Sequence, residues 1–315
     1  MTEPKTVTLL IPAYNEANAL PRLFERIEAV INIEPGYRFE YLVVDDGSSD
    51  GTLAEIKQLA TQYLNVEYIS FARNFGKEYA LAAGFQNAKG DAVIILDGDG
   101  QHPPELIPDM LRLWEIGYDD VYAVRQDAVP ESFPKKVARS VYYKFADAVV
   151  GKDIIVRNAG DFRLLDRKCV IALRNLTEAD RNTKALYGWV GFRKVAIEYQ
   201  QGERAHGASK WDRRSLVKLA SSGIISFSVA PLRIALWAGF LVSIAAFAYL
   251  AIVIIQTIAF GDRPDGYPTI VSLLLFLCGT ILITVGIVGE YVGRIFDEVK
   301  RRPLYLVKDA NVPVE

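Results

Sequence analysis

Up to about residue 125, short apolar runs alternate with segments whose apolar residues recur every three or four positions. Thr6–Ile11 reads as a strand ended by Pro12, and Ala17–Ile31 places Leu20, Leu23, Phe24, Ile27 and Val30 at helical spacing. Tyr41–Val44 is a second buried strand, followed by Asp45-Asp46-Gly47-Ser48. Asp50 is placed to cap a helix running through Leu53, Ile56, Leu59 and Ala60. Val66–Ser70, Lys77–Asn87 and Ala92–Leu96 continue as strand, helix and strand, and a further helix opens near Pro103-Pro104, prolines that suit a first turn. This alternation predicts an α/β fold, a mostly parallel sheet with helices on both faces, whose ligands bind at the carboxyl ends of the strands. Pro12–Glu16, Asp45–Ser48 and Asp97–Gln101 all fall at such ends, so three polar clusters are expected on one rim.

The pattern changes after residue 230. Ile234–Gly261 and Gly266–Gly289 carry no charged residue. A membrane span needs about 20 apolar residues, and a helix that is apolar all round is seldom a soluble one. Two transmembrane helices are therefore expected, at about 234–260 and 267–290. Arg213, Arg214, Lys218 and Arg233 precede them and Arg294, Lys300, Arg301 and Arg302 follow, so the positive-inside rule places both flanks and the N-terminal domain on the cytoplasmic side. Ser215–Phe227 sets Leu216, Ala220, Ile224 and Phe227 on one face directly before the first span and reads as an interfacial helix. Pro134–Val150 is similarly amphipathic and reads equally as interfacial or as a surface helix on the sheet. The expected division is a catalytic domain over 1–212, an interfacial helix over 213–231 and a two-helix membrane region over 232–315, with the tail after Lys308 fraying.

Composition narrows the function classes. The 315-residue chain has a net charge of −2, so no basic field draws it to nucleic acid. Its two cysteines, Cys169 and Cys278, and its two histidines, His102 and His206, form no metal or redox spacing. The N-terminus starts polar and runs straight into a strand, so no signal peptide is expected.

Asp97-Gly98-Asp99 carries the most chemistry. Two carboxylates two residues apart at a strand end can share one hard cation, Mg²⁺ or Mn²⁺, and Gln101 adds an amide oxygen at the same step. Taken alone, the tripeptide is better explained by a solvated turn.

The ordered set of strings decides between these readings. Ile11-Pro12-Ala13-Tyr14-Asn15-Glu16, Val43-Val44-Asp45-Asp46-Gly47-Ser48-Ser49-Asp50-Gly51-Thr52, Arg73-Asn74-Phe75-Gly76-Lys77-Glu78 and Gly90-Asp91 come first. Asp97-Gly98-Asp99-Gly100-Gln101, Asp161-Phe162-Arg163-Leu164, Gly207-Ala208-Ser209-Lys210 and Gly289-Glu290-Tyr291-Val292-Gly293-Arg294 follow. Together they resemble family 2 glycosyltransferases, specifically bacterial polyprenyl-phosphate glycosyltransferases related to dolichol-phosphate mannose synthase, over nearly the whole chain. The resemblance implies a GT-A (Rossmann-like) fold, a nucleotide-sugar donor, a polyprenyl phosphate acceptor, a lipid bilayer as partner, and a bacterial cytoplasmic membrane as location. Self-association stays open.

The resemblance also implies roles. Pro12, Tyr14, Glu16, Val44 and Asp46 would line the nucleoside pocket, with Asp97, Gly98 and Asp99 at ribose and diphosphate. Asp97, Asp99 and Gln101 would hold the metal, and Asp97, Asp99, Arg125, Arg204 and Lys210 would carry the catalytic work. Arg125, Asp161, Arg163 and Ser209 would meet the acceptor phosphate, although Asp161 and Arg163 read equally well as an ion pair with each other. His102 stands where many members have aspartate and reads as a turn residue rather than a ligand. The mark of processive family members, Gln-x-x-Arg-Trp, is absent, so one sugar per turnover is expected.

A lipid phosphate, largely dianionic at pH 7, can attack an anomeric carbon without a strong base, which fits a chain with no paired nucleophile. A cation and basic side chains would stabilise the departing diphosphate in a single inverting displacement. UDP-glucose is the donor the resemblance suggests. Two other readings stay open: a glycolipid-forming transferase acting on a lipid hydroxyl, and a non-catalytic membrane scaffold with a relict nucleotide site.

Overall fold

The structure, a computed structural model, describes residues 4–125, 159–199, 230–260 and 266–313. It divides into two compact units, Met1–Lys210 with Arg302–Glu315, and Trp211–Arg301.

The first unit is built on an eight-stranded mixed sheet. In chain order its elements are β1 (Lys5–Ala13), α1 (Leu20–Ile31), β2 (Tyr37–Asp45), α2 (Thr52–Gln62), β3 (Val66–Phe71), α3 (Lys77–Asn87) and β4 (Ala92–Ile95). A 3₁₀ turn (Pro104–Leu106), α4 (Ile107–Glu115), β5 (Asp120–Arg125), β6 (Ala159–Asp166), α5 (Arg167–Arg174), α6 (Thr183–Trp189) and β7 (Lys194–Tyr199) follow. The last strand, β8 (Val307–Ala310), comes from beyond the second unit. The strand order is β7-β5-β6-β4-β1-β2-β3-β8.

The central β4-β1-β2-β3 block is wholly parallel, as strand–helix alternation demands. Its strands are apolar on both faces because helices cover both: Leu9, Leu10, Ile11, Val43, Val44, Val93, Ile94 and Ile95 have at most 1% exposure. In α1, Leu20, Leu23, Phe24, Ile27, Val30 and Ile31 form the buried stripe. Helix α3 instead buries a continuous run, Ala80–Phe85, and a Cβ at Gly84 would overlap the Leu10 side chain, so the helix lies hard against β1.

Three features go beyond the expected pattern or against it. Strand β6 enters antiparallel between β4 and β5, pairing Ile94 with Leu164 and Ile95 with Arg163. The tail after Lys308 does not fray over its described residues, 309–313. β8 pairs antiparallel with β3, Asn311 bonds the β3 backbone at Tyr68 N (2.6 Å) and Val66 O (3.0 Å), and Lys57 pairs with Asp309. Tyr305 stacks on Phe71 at 4.7 Å and bonds Gln86 of α3. The physical reason is the open edge of β3: its N–H and C=O row needs a partner, and the polar tail supplies one. Asp50 also misses the cap position by one residue. Gly51 is the N-cap of α2, and the Asp50 carboxylate bonds the N–H and hydroxyl of Thr52.

The second unit contains two long helices, α7 (Ala230–Phe260) and α8 (Tyr267–Val299). Their apolar windows, Ala235–Ile255 and Phe276–Val299, are long enough to cross a membrane. Leu236, Trp237, Phe240, Ile252, Ile255, Leu274, Phe276, Leu282 and Ile283 are all exposed, the outward-facing apolar surface that lipid covers. Both amphipathic segments expected at 134–150 and 215–227 lie outside the described residues.

Candidate active site

The loops after β1, β2 and β4 meet on one rim through backbone and short polar side chains. Asn15, at φ 57°, accepts from Ser49 N (2.9 Å), and its own N–H donates to Ser48 Oγ (2.9 Å). Glu16 N–H reaches Thr52 Oγ1 (2.8 Å), Asp46 N–H reaches Ala13 O (2.9 Å) and Gly98 N–H reaches Pro12 O (3.2 Å). A Cβ at Gly98 would stand 3.2 Å from both Ala13 Cβ and Pro12 O, so glycine here lets the β4 loop close on the β1 loop.

A second layer hangs from Asp46. Its carboxylate accepts from Phe75 N (2.8 Å), Gly76 N (2.9 Å) and Asn74 Nδ2 (3.0 Å). Burial raises its pKa while these backbone donors and Arg73 oppose the rise. Asp46 is thus committed to holding the Arg73–Gly76 turn. Gly47, at φ +65°, is pressed so closely on the Arg73 backbone that no side chain fits. That turn delivers Lys77, the first residue of α3, into the site.

Lys77 joins the site's carboxylates. Its Nζ lies 2.6 Å from Asp97 Oδ1 and 2.8 Å from Asp161 Oδ2. Burial disfavours the ammonium, but Asp97 and Asp161 outweigh it and hold the pKa above the ordinary lysine value. Burial would raise Asp161, yet Lys77, then Lys184 and Arg163, keep it below the usual carboxylate range. Asp161 and Arg163 are not paired with each other. Arg163 Nη1 is 2.9 Å from Asp120 Oδ2, and its guanidinium lies 3.6 Å from the Tyr187 ring centroid. The reason is register: pairing of β6 with β5 sets Tyr122 opposite Arg163 and brings Asp120 within its reach.

The remaining expected residues sort clearly. Tyr14 is 45% exposed, a ring open for stacking. Pro12 and Val44 are buried, and Val44 is wholly enclosed, backbone as well as side chain. Asp99 Oδ1 accepts from Gln101 N (3.0 Å). Glu16 is pushed up to about 7 by burial first, then by Asp99, Asp50 and Asp97. Arg125 is the last residue of β5, while Arg204, Ser209 and Lys210 lie outside the described residues. His102 is no bare turn residue. It is buried, its Nδ1 accepts from Asp97 N (3.0 Å), and its ring stacks on Phe162 at 4.9 Å and 11°. Sequence reasoning missed Lys77, and it read His102 as a turn residue without its contacts to Asp97 and Phe162. Lys77 stood within a quoted string, immediately after a glycine at a helix start, and that placement was the available signal.

A Rossmann-like domain with an acidic rim at the carboxyl ends of its strands, in a chain that also carries two membrane-length helices, suits a protein that binds a polar ligand and is attached to a membrane. Comparison with known proteins gives the family. Residues 8–174 match the glycosyl transferase family 2 model, and residues 230–295 match the GtrB C-terminal hairpin. The chain is 41% identical over 308 residues to a putative glycosyltransferase, CsbB, of Bacillus subtilis, covering 98% of this chain and 92% of that one. It is 39% identical over 305 residues to the bactoprenol glucosyl transferase of Shigella phage SfII, covering 97% of this chain and 98% of that one. Among solved structures, the mannosyltransferase PcManGT from Pyrobaculum calidifontis, in complex with GDP-Man and Mn²⁺, matches with a TM-score of 0.48 at 16% identity, covering 90% of this chain and 88% of that one. The chain belongs to glycosyl transferase family 2 and is a glycosyltransferase.

Proposed function

We propose that this enzyme transfers one glucose from UDP-glucose to a polyprenyl phosphate, undecaprenyl phosphate in a bacterial cell, with inversion, at the cytoplasmic face of the inner membrane. The product would be a lipid-phosphate sugar for cell-envelope glycosylation. The observation that carries the reading is end-to-end similarity to a bactoprenol glucosyl transferase, 97% of this chain against 98% of that one, membrane hairpin included.

The site's chemistry supports it. Glu16 is held near 7 by burial first and then by Asp99, Asp50 and Asp97, and a divalent cation would relieve the repulsion among these carboxylates. Asp97, Asp99 and Gln101 suit Mg²⁺ or Mn²⁺, since all three offer oxygen. When bound, that cation would supply charge stabilisation to the leaving diphosphate. Lys77 would stand beside the same oxygens as a fixed cation, and Tyr14 would stack on the base. Arg125, Arg204, Ser209 and Lys210 remain the proposed contacts for diphosphate and acceptor phosphate. Asp161 belongs beside Lys77 at the rim, and Arg163 acts from behind it. The domain division proposed is a catalytic unit over 1–212, an interfacial helix over 213–231 and a membrane hairpin after it, with the tail returned to the sheet.

The test is a donor screen on membranes with undecaprenyl phosphate, following label from UDP-glucose, UDP-galactose, UDP-N-acetylglucosamine and GDP-mannose into the lipid fraction. Label from UDP-glucose that disappears with a chelator and returns with Mn²⁺ is expected. Label only from another donor overturns the sugar, and label entering diacylglycerol rather than the phosphate lipid overturns the acceptor.

A further inference from the structure

We propose that His102 is a positioning residue for the Asp97–Gln101 loop: its ring, clamped on Phe162, accepts the Asp97 backbone N–H and thereby sets where the Asp97 and Asp99 carboxylates stand. The proposal rests on the reading above only in taking those carboxylates as cation ligands.

The need for such a residue comes from the strand end. Strand β4 stops at Ile95, and past it Leu96 N–H and Gly98 N–H still bond β1, at Leu10 O (3.0 Å) and Pro12 O (3.2 Å). Asp97 N–H, between those two, bonds neither β1 acceptor, and a buried unpaired N–H is costly. His102 answers it from five residues downstream, with Nδ1 at 3.0 Å. An Nδ1 that accepts puts the ring proton on Nε2, which lies 3.7 Å from Asp97 Oδ2.

The ring that does this cannot wander. It is 7% exposed and lies nearly parallel to Phe162, which is fully buried on β6. Asp97 is therefore tied to β6 twice. Its backbone is held through His102 and Phe162, and its side chain through Lys77 and Asp161. Phe162 and Asp161 are neighbours on one strand whose successive side chains point to opposite faces, so the two ties grip the loop from two sides. The rest of the loop is braced more lightly: Arg26 reaches Gly100 O (3.1 Å), and Gly100 N–H reaches Asp97 O (3.3 Å).

The accepting atom suggests the test. Asparagine places its amide oxygen where Nδ1 stands, and glutamine places its oxygen near Nε2. His102→Asn should preserve the contact and His102→Gln should lose it, although both are neutral and polar. On the full-length protein in nanodiscs, amide hydrogen exchange over the Asp97–Gln101 loop should quicken about tenfold in the Gln variant, as one lost buried hydrogen bond implies. Mn²⁺ affinity, read by electron paramagnetic resonance, should weaken by a similar factor. The Asn variant should stay within about threefold of wild type in both. Unchanged exchange in the Gln variant overturns the proposal, as does faster exchange with unchanged Mn²⁺ affinity. Equal damage in both variants, with circular dichroism showing both folded, also overturns it. If the wild-type protein binds no Mn²⁺, the cation reading fails, while the exchange comparison still decides the role of His102.

Discussion

Strand β6 makes two ionic contacts from positions two residues apart, and they serve opposite ends. Asp161 points to Lys77, whose side chain is 41% exposed and which also holds Asp97. Arg163 points to Asp120, and both side chains are almost wholly enclosed, at 4% and 6% exposure. The first pair stands where a charged ligand can join it. The second is sealed under Tyr187, where neither charge can be exchanged for another. Breaking a sealed pair leaves an uncompensated buried charge, whereas an open one can be rescreened by water. The same strand thus carries a half-open ionic contact beside a sealed one.

The comparison breaks most visibly if the sealed pair is cut. Arg163→Met should cost about 3–5 kcal/mol of stability by leaving Asp120 unpaired, and a fall in the urea midpoint of the detergent-solubilised protein checks it. A midpoint within error of wild type would show that water reaches Asp120. The Asp97–Gln101 loop comes next. Asp99→Ala should lower kcat/KM by about 10²–10³ with folding retained; near-normal turnover would remove Asp99 from the chemistry. Lys77→Met should act in the same sense but less strongly, about 10–100-fold in turnover with little change in the urea midpoint, because electrostatic help at the diphosphate is lost while the half-open site rehydrates. If instead stability falls and turnover survives, the two contacts of β6 are of one kind.

A smaller effect is expected at the edge of the sheet. Asn311→Ala removes two bonds to the β3 backbone and should cost about 1–3 kcal/mol, seen as faster amide exchange in β3. The smallest effect is a pH slope. His102 lies below the ordinary histidine value, through burial first and then Lys77, against the pull of Asp97, Asp99 and Asp161. Its folded pKa is depressed, so the stability it contributes is present above about 6.5 and is lost as pH falls below that. Glu16 has the opposite sign: its pKa is raised from 4.5 to about 7, so its ionisation withdraws stability as pH rises through that window. Urea midpoints at pH 7.5 and 5.5 should therefore differ between wild type and His102→Asn, with the variant losing less on acidification. Parallel slopes would place the His102 ring in water.

Much of this was legible beforehand, for a definite reason. The parallel core follows from the alternation of apolar runs and helical stripes, and the membrane helices follow from uncharged length; both are local properties. Lys77–Asn87 falls on α3 residue for residue. The Asp97-Gly98-Asp99 loop was legible because strand end, glycine and carboxylates are adjacent in the chain. The partners of Asp161 and Arg163 were not legible, because they depend on which strand β6 lies beside and in what register. Nor was the tail, since four residues of strand from a polar terminus carry too little pattern to separate pairing from fraying. His102 and Phe162 meet across 60 residues, with no motif to announce it.

By itself the sequence determined the kinds of element, the rim on which chemistry gathers, the membrane anchor and the family strings. These rest on short-range periodicity and on residues that neighbour one another. Only the tertiary structure decided which charges face each other: Lys77 between Asp97 and Asp161, Arg163 against Asp120, and His102 beneath the Asp97 loop. Those pairings are set by strand register and by the buried stacking that fixes it, and both are long-range packing outcomes that no local stretch of chain encodes.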